Sequence, residues 1–194
     1  MKKNIIIIAL LCAITVSHAQ KLYNVGFKIS TSFSINDDYS VTGVTLTGLK
    51  CADFGVFARV GKFVYAELGL GYGFYKGTYT QDMNGISLYE NEMVETRHLQ
   101  IPIKAVGYVP LGKSCAFEPY AGIVYQPLLK VTKNNINFSK NNIEKNQTLF
   151  TAGFDMKLGF ILLGVNYRYS LQHFFQNIDG KHPQYINICA GFQF

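Results

Sequence analysis

From Tyr23 onward, apolar and polar residues take turns. Tyr23, Val25, Phe27 and Ile29 are apolar, with Asn24, Gly26 and Lys28 between them. A period of two marks a strand with one apolar face. The alternation recurs at about 22–34, 51–60, 63–76, 96–108, 116–128, 147–158, 160–172 and 184–194, and no part of this region carries a 3.6-residue period. The eighth stretch runs to the final residue: Ile186, Ile188, Ala190, Phe192 and Phe194 are apolar, while Asn187, Cys189, Gly191 and Gln193 are small or polar. Eight strands and no helix define an all-β chain.

The connections alternate in length. Gly61-Lys62, "VPLGKS" and Gly159 separate some neighbours, whereas "INDDYSVTGVTLTG", "GTYTQDMNGISLYENEMVE", "VTKNNINFSKNNIEKN" and "HFFQNIDGKHP" separate the others. Short turns at one end and long loops at the other are how a transmembrane barrel is strung. The charges then decide which face is out. None of the apolar positions, among them Val56, Leu68, Ile101, Ile123, Phe154 and Leu163, is charged, and the opposite face carries Lys28, Asp53, Arg59, Glu67, Lys104, Glu118, Asp155, Lys157 and Arg168. In an eight-stranded barrel the bore is just wide enough for side chains to fill, so five positive and four negative groups can satisfy one another inside it. Glycines on that face relieve crowding, and closure removes the sheet edges that hydrocarbon would not tolerate. The pattern therefore predicts an eight-stranded antiparallel transmembrane β-barrel, an up-and-down meander. A buried charge without a partner costs several kcal/mol. Glu67, Lys104, Glu118 and Arg168 are accordingly expected to face inward and pair with one another, with His98 inward near Glu67.

The other terminus reads as a targeting segment. Lys2 and Lys3 precede an apolar run from Ile5 to Val16, followed by Ser17-His18-Ala19, small residues at the positions a signal peptidase reads. That run is short of the about 20 residues a membrane-spanning helix needs. Residues 1–19 are expected to be a cleaved signal peptide and 20–194 the barrel domain. The net charge of +6 falls to +4 once Lys2 and Lys3 are removed, and the basic residues are scattered, so nothing points to nucleic acid. Cys51, Cys115 and Cys189 show neither a disulfide framework nor metal-ligand spacing, and no cofactor motif is present. With 13 Tyr, 15 Phe, 18 Gly and no Trp, the composition favours strands and tight wall packing.

"FVYAELGLGYGFYKG" (63–77), "RHLQIPIKAVGY" (97–108), "EPYAGIVY" (118–125), "NYRYSLQ" (166–172) and the closing "GFQF" resemble the outer-membrane β-barrel domain family common in Bacteroidetes, sometimes called PorT-like. The resemblance spans essentially the whole region after the signal. Its most specific pieces are Glu67, the Leu99-x-Ile101-Pro102 of the fourth strand, and Arg168-Tyr169. His98 stands where the family often has Tyr. The resemblance also implies a C-terminal assembly signal at Asn187, Phe192 and Phe194, with Cys189 where glycine is usual. What it implies about place is a Gram-negative outer membrane, with outer-membrane lipid and the barrel-assembly machinery as partners.

Candidate chemistry is thin. Gly69, Gly71 and Gly73 lie two apart on one strand face, unlike a phosphate loop, which needs a strand ending and a helix starting at the glycines. A barrel enzyme acting on lipid would place Ser, His and a carboxylate together. The residues two from His98, His173 and His182 are Gln100, Phe175 and Gln184, which do not supply that set. The long loops differ in charge: Gly77–Glu95 holds Asp82, Glu90, Glu92 and Glu95, and Lys130–Asn146 holds Lys130, Lys133, Lys140 and Lys145. The expected function is non-enzymatic, a scaffold or surface-contact protein that engages an envelope or secretion partner through those loops; a lipid-modifying enzyme or a small-solute channel are the alternatives.

Overall fold

The computed structural model describes residues 23–35, 38–41, 44–83, 86–134, 144–173 and 182–194. Residues 1–19, the expected signal peptide, lie outside these residues. The chain forms β1 (Tyr23–Ser34), β2 (Asp38–Val41), β3 (Val44–Gly61), β4 (Val64–Met83), β5 (Ile86–Gly107), β6 (Val109–Pro110), β7 (Cys115–Asn134), β8 (Asn146–Leu158), β9 (Ile161–Ser170) and β10 (Gln184–Gln193). β1, β3, β4, β5, β7, β8, β9 and β10 make the wall; the four-residue β2 adds to β3 and the two-residue β6 to β7. Neighbours along the chain pair antiparallel, and β1 pairs with both β10 and β3, so the sheet closes on itself. This is the closed eight-stranded meander that the alternation predicts.

The seam is completed by the terminal residue. Val25 N donates to Phe194 O at 3.1 Å and Phe194 N donates to Val25 O at 2.8 Å, while Phe192 packs on Phe27 with ring centroids 5.1 Å apart. An unpaired backbone group in hydrocarbon costs several kcal/mol, so a final strand paired to its last residue leaves no open edge there.

Burial is inverted relative to a water-soluble fold. Val56, Leu68, Leu163 and Ile188 are 61, 58, 48 and 53 % exposed, whereas Arg59, Glu118, Asp155 and Gln126 are each 0 % exposed. The wall turns its apolar side chains to lipid and its polar ones to the bore. At the short-turn end, Gly61 (φ 145°) and Gly159 (φ 64°) hold backbone conformations that residues with a Cβ rarely adopt, and a Cβ on Gly61 would run into the Val64 carbonyl.

Four strands are longer than the alternation predicts. β3, β4, β5 and β7 reach 44, 83, 86 and 134 at the long-loop end, where the pattern ended them near 51, 76, 96 and 128. β4 and β5 stay paired out to Met83 and Ile86. The segment "GTYTQDMNGISLYENEMVE" shows no apolar period in its sequence, but its Tyr and Thr content favours strands.

Candidate functional site: the lumenal charge network

Arg59 on β3 points into the bore because it alternates with outward Ala58 and Val60. Its guanidinium donates to three carboxylates: Nε to Glu67 Oε2 at 2.7 Å, Nη1 to Glu118 Oε2 at 2.5 Å and Nη2 to Asp155 Oδ2 at 3.1 Å. Nη1 also donates to Gln193 Oε1 at 3.0 Å. Lys28 Nζ lies 2.5 Å from Asp155 Oδ2, and Lys104 Nζ lies 2.8 Å from Glu67 Oε1. Three cations and three carboxylates thus cancel inside the wall. Strand register assembles them: Arg59 sits opposite Glu67, Glu67 opposite Lys104, and Glu118 opposite Asp155. The last is a like-charge pair, held by the arginine that reaches both.

Small and aromatic neighbours make room for the network and insulate it. A Cβ on Gly164 would strike Asp155 Oδ1. Lys104 Nζ lies 4.6 Å from the Tyr120 ring centroid and Arg59 Cζ lies 4.8 Å from that of Phe57.

Arg168 belongs to a second, separate pair. Its Nη1 donates to Asp53 Oδ2 at 3.1 Å, Ser30 Oγ donates to Asp53 Oδ1, and with the Asn187 amide oxygen turned toward it, Arg168 Nε donates there at 2.5 Å. The expected mutual pairing of Glu67, Lys104, Glu118 and Arg168 therefore holds only for Glu67 with Lys104. Glu118 is taken by Arg59 and Arg168 by Asp53, because register puts Arg168 opposite Thr151 and Tyr185, away from the Glu67 level. Lys157 shares the inner face of β8 but joins none of these ion pairs. His98 is inward and 3 % exposed, yet it is not beside Glu67. It packs on Tyr75 at 4.8 Å between centroids, and its Nε2 lies 2.9 Å from Thr96 Oγ1, because β4–β5 register sets it opposite Gly73.

Uncharged groups close the bore on both sides of the network. Toward the long loops, Tyr75 meets Tyr185 at 5.9 Å and accepts from Gln126 Nε2 at 2.5 Å. Toward the short turns, Tyr65, Val106 and Tyr120 form a buried cluster with Tyr108 against it. The space left among the charged groups is about 60 Å³, room for a few waters.

The three residues of the implied assembly signal are divided by the alternation. Asn187 is buried in the bore, where its amide oxygen accepts from Arg168. Phe192 is half-buried on the outer wall and Phe194 is 72 % exposed at the rim. Gln193, Gln126 and Tyr75 are participants that a search for charge passes over. Their inward parity was the available signal.

Solved structures similar in outline include the translocator domain of the autotransporter NalP from Neisseria meningitidis (12 % identity, covering 94 % of this chain and 91 % of that one, TM-score 0.46). The N-terminal β-barrel domain of Pseudomonas aeruginosa OprF (13 % identity, 88 % and 97 %, TM-score 0.43) and the attachment invasion locus protein Ail of Yersinia pestis (10 % identity, 89 % and 97 %, TM-score 0.39) are also similar. No curated protein sequence matches. A family model for the outer membrane protein β-barrel domain matches residues 6–194. With the closed wall, the inverted burial and this match together, the chain belongs to the outer membrane protein β-barrel domain family, whose place is the Gram-negative outer membrane.

Proposed function

We propose that the protein is a non-enzymatic surface scaffold of the PorT-like, Bacteroidetes branch of this family, exported through a cleaved signal peptide and contacting an envelope or secretion partner through its long-loop end. The observation that carries the reading is the unequal height of the wall. β3, β4, β5 and β7 have 18, 20, 22 and 20 residues, against 12, 13, 10 and 10 in β1, β8, β9 and β10. At about 3.3 Å per residue, β4 runs roughly 20 Å further along its axis from Lys76 to Met83. A projecting sheet offers more contact area than isolated loops, and the bore beneath it is filled, which supports a contact role over conduction or catalysis. The closing strand, with Asn187, Phe192 and Phe194, is read as the signal to the barrel-assembly machinery. Photo-crosslinking from positions 81, 87 and 89 in the native membrane, compared with a variant chain shortened across 80–89, tests the contact role. Specific adducts that vanish on shortening are expected; adducts no different from those at turn position Lys62 would sink it.

A further inference from the structure

A second set of basic side chains lies outside the bore, on the lipid-facing side of the wall at the long-loop end. Lys50 on β3, Lys76 on β4, Arg97 on β5 and Lys130 on β7 occupy outward positions. Strand pairing sets Lys50 directly opposite Lys76 and Arg97 directly opposite Lys130. Like charges directly opposite each other destabilise a sheet. None of the four enters an ion pair among the described residues. Glu95 faces Lys76 across β4–β5 and lowers the cluster's charge by one, leaving it net positive by three. Arg97 lies with Cζ 5.6 Å from the Phe74 ring centroid, and its enclosed Nε finds no hydrogen-bond partner among the described residues.

The height of these groups is informative. The row Ala52, Phe74, Arg97 and Lys130 lies one step beyond the row of Phe54, Tyr72 and Leu99, which belongs to the apolar wall. The cations therefore border the edge of the apolar wall at the long-loop end. Among the described residues the four lie on adjacent wall strands, β3, β4, β5 and β7. On the far side of the rim, the outward Tyr167 Oη donates to Gln184 Oε1 at 2.8 Å, an uncharged pair.

We infer that this face binds the phosphorylated headgroup of an outer-leaflet lipid, with Arg97, Lys50, Lys76 and Lys130 on the phosphates and an acyl chain lying against Phe74, Tyr72 and Phe54. A headgroup with more than one phosphate supplies the negative charge that two like-charge cross-strand pairs lack. Arg97 presents a planar fork of donors suited to phosphate, and the lysines add point charges. A lipid fits better than a free anion because the cations adjoin an apolar wall that holds the chains of such a lipid beside them. The inference rests on the long-loop end facing the outer leaflet, as short inner turns and long outer loops require.

The test uses the folded chain in detergent micelles, with bound lipid counted by native mass spectrometry. Diphosphorylated lipid A is expected to be retained about tenfold or more over its dephosphorylated form, and added salt to erode that preference. The triple variant Lys50→Gln, Lys76→Gln, Arg97→Gln should lose the preference, whereas Lys62→Gln with Lys113→Gln, at the turn end, should keep it. Excess inorganic phosphate should leave the lipid bound. Equal retention of the two lipids by the unaltered protein overturns the inference without needing a variant to fold. So does a preference that survives the triple variant, one lost equally in the turn-end variant, or displacement by inorganic phosphate alone, which would mark a free-anion site. Resistance of the folded form to heat in detergent reports separately on whether each variant is a barrel, so failure of the lipid site is distinguishable from failure of the outer-membrane fold.

Discussion

Arg59 and Lys76 sit on neighbouring strands of one wall and carry the same unit charge, yet their surroundings oppose each other. Arg59 is enclosed and bonded to three carboxylates and an amide; Lys76 is exposed, faces Lys50 on one side and Glu95 on the other, and joins no ion pair among the described residues. The difference follows from solvent. Where Arg59 sits, water is nearly excluded, so its charge and those of the acids around it need one another. At the rim, water and headgroups screen charge, so uncompensated cations cost little and remain available to a ligand.

The comparison breaks most visibly at Arg59. Replacing it with Met leaves Glu118 without a cation and Glu67 and Asp155 with only Lys104 and Lys28, an expected loss of about 3–5 kcal/mol in the urea unfolding of the refolded barrel. Adding Glu118→Gln and Asp155→Asn should restore part of it; a loss under about 1 kcal/mol for Arg59→Met would mean that the three acids are not coupled through the guanidinium.

The outer face is the next test, since it tolerates no charge except near its rims. Lys at Leu68 or Ile123 should cost about 2–4 kcal/mol, while Lys62→Ala at the short turn should leave the midpoint nearly unmoved. Equal tolerance at all three positions would argue for a water-facing wall.

Gly164→Val probes how tightly the bore is filled. A Cβ there collides with Asp155 Oδ1 and comes within 2.8 Å of Phe154 O and 2.9 Å of Cys189 Sγ, so overpacking should cost about 1–3 kcal/mol. The measurement is again the unfolding midpoint, and a neutral result would show that Asp155 can leave its partners freely.

The smallest effect is expected at the rim. Lys50→Gln with Lys76→Gln should change stability in lipid-free detergent by no more than about 0.5 kcal/mol, in the stabilising direction, because a like-charge pair disappears. A loss comparable to that of Arg59→Met would place these lysines under the rules of the bore and end the contrast.

How much of this was legible in the chain differs from strand to strand. The inner and outer faces of β1, β8, β9 and β10 follow from a period of two, because an apolar outer surface and a polar bore force every second residue to the same choice. That constraint assigned nine charges, from Lys28 to Arg168, to the inner face and the apolar residues between them to the outer wall. It fails for the ends of β3, β4, β5 and β7 toward the long loops, where the sequence shows no apolar period and the strands are defined by backbone pairing.

Which inward charge meets which was decided by tertiary structure alone. Alternation reports the side of the wall and is silent about height. Arg59 reaches Glu118 and Asp155 across the bore because register and closure bring residues 59 and 96 positions apart to one level, while Arg168 lies at the level of Asp53 instead. The opposition of Lys50 to Lys76 and of Arg97 to Lys130 has the same origin. Sequence chose the face of each residue through its solvent; closure of the sheet chose its partners, because only a fixed register converts a position along a strand into a position along the barrel axis.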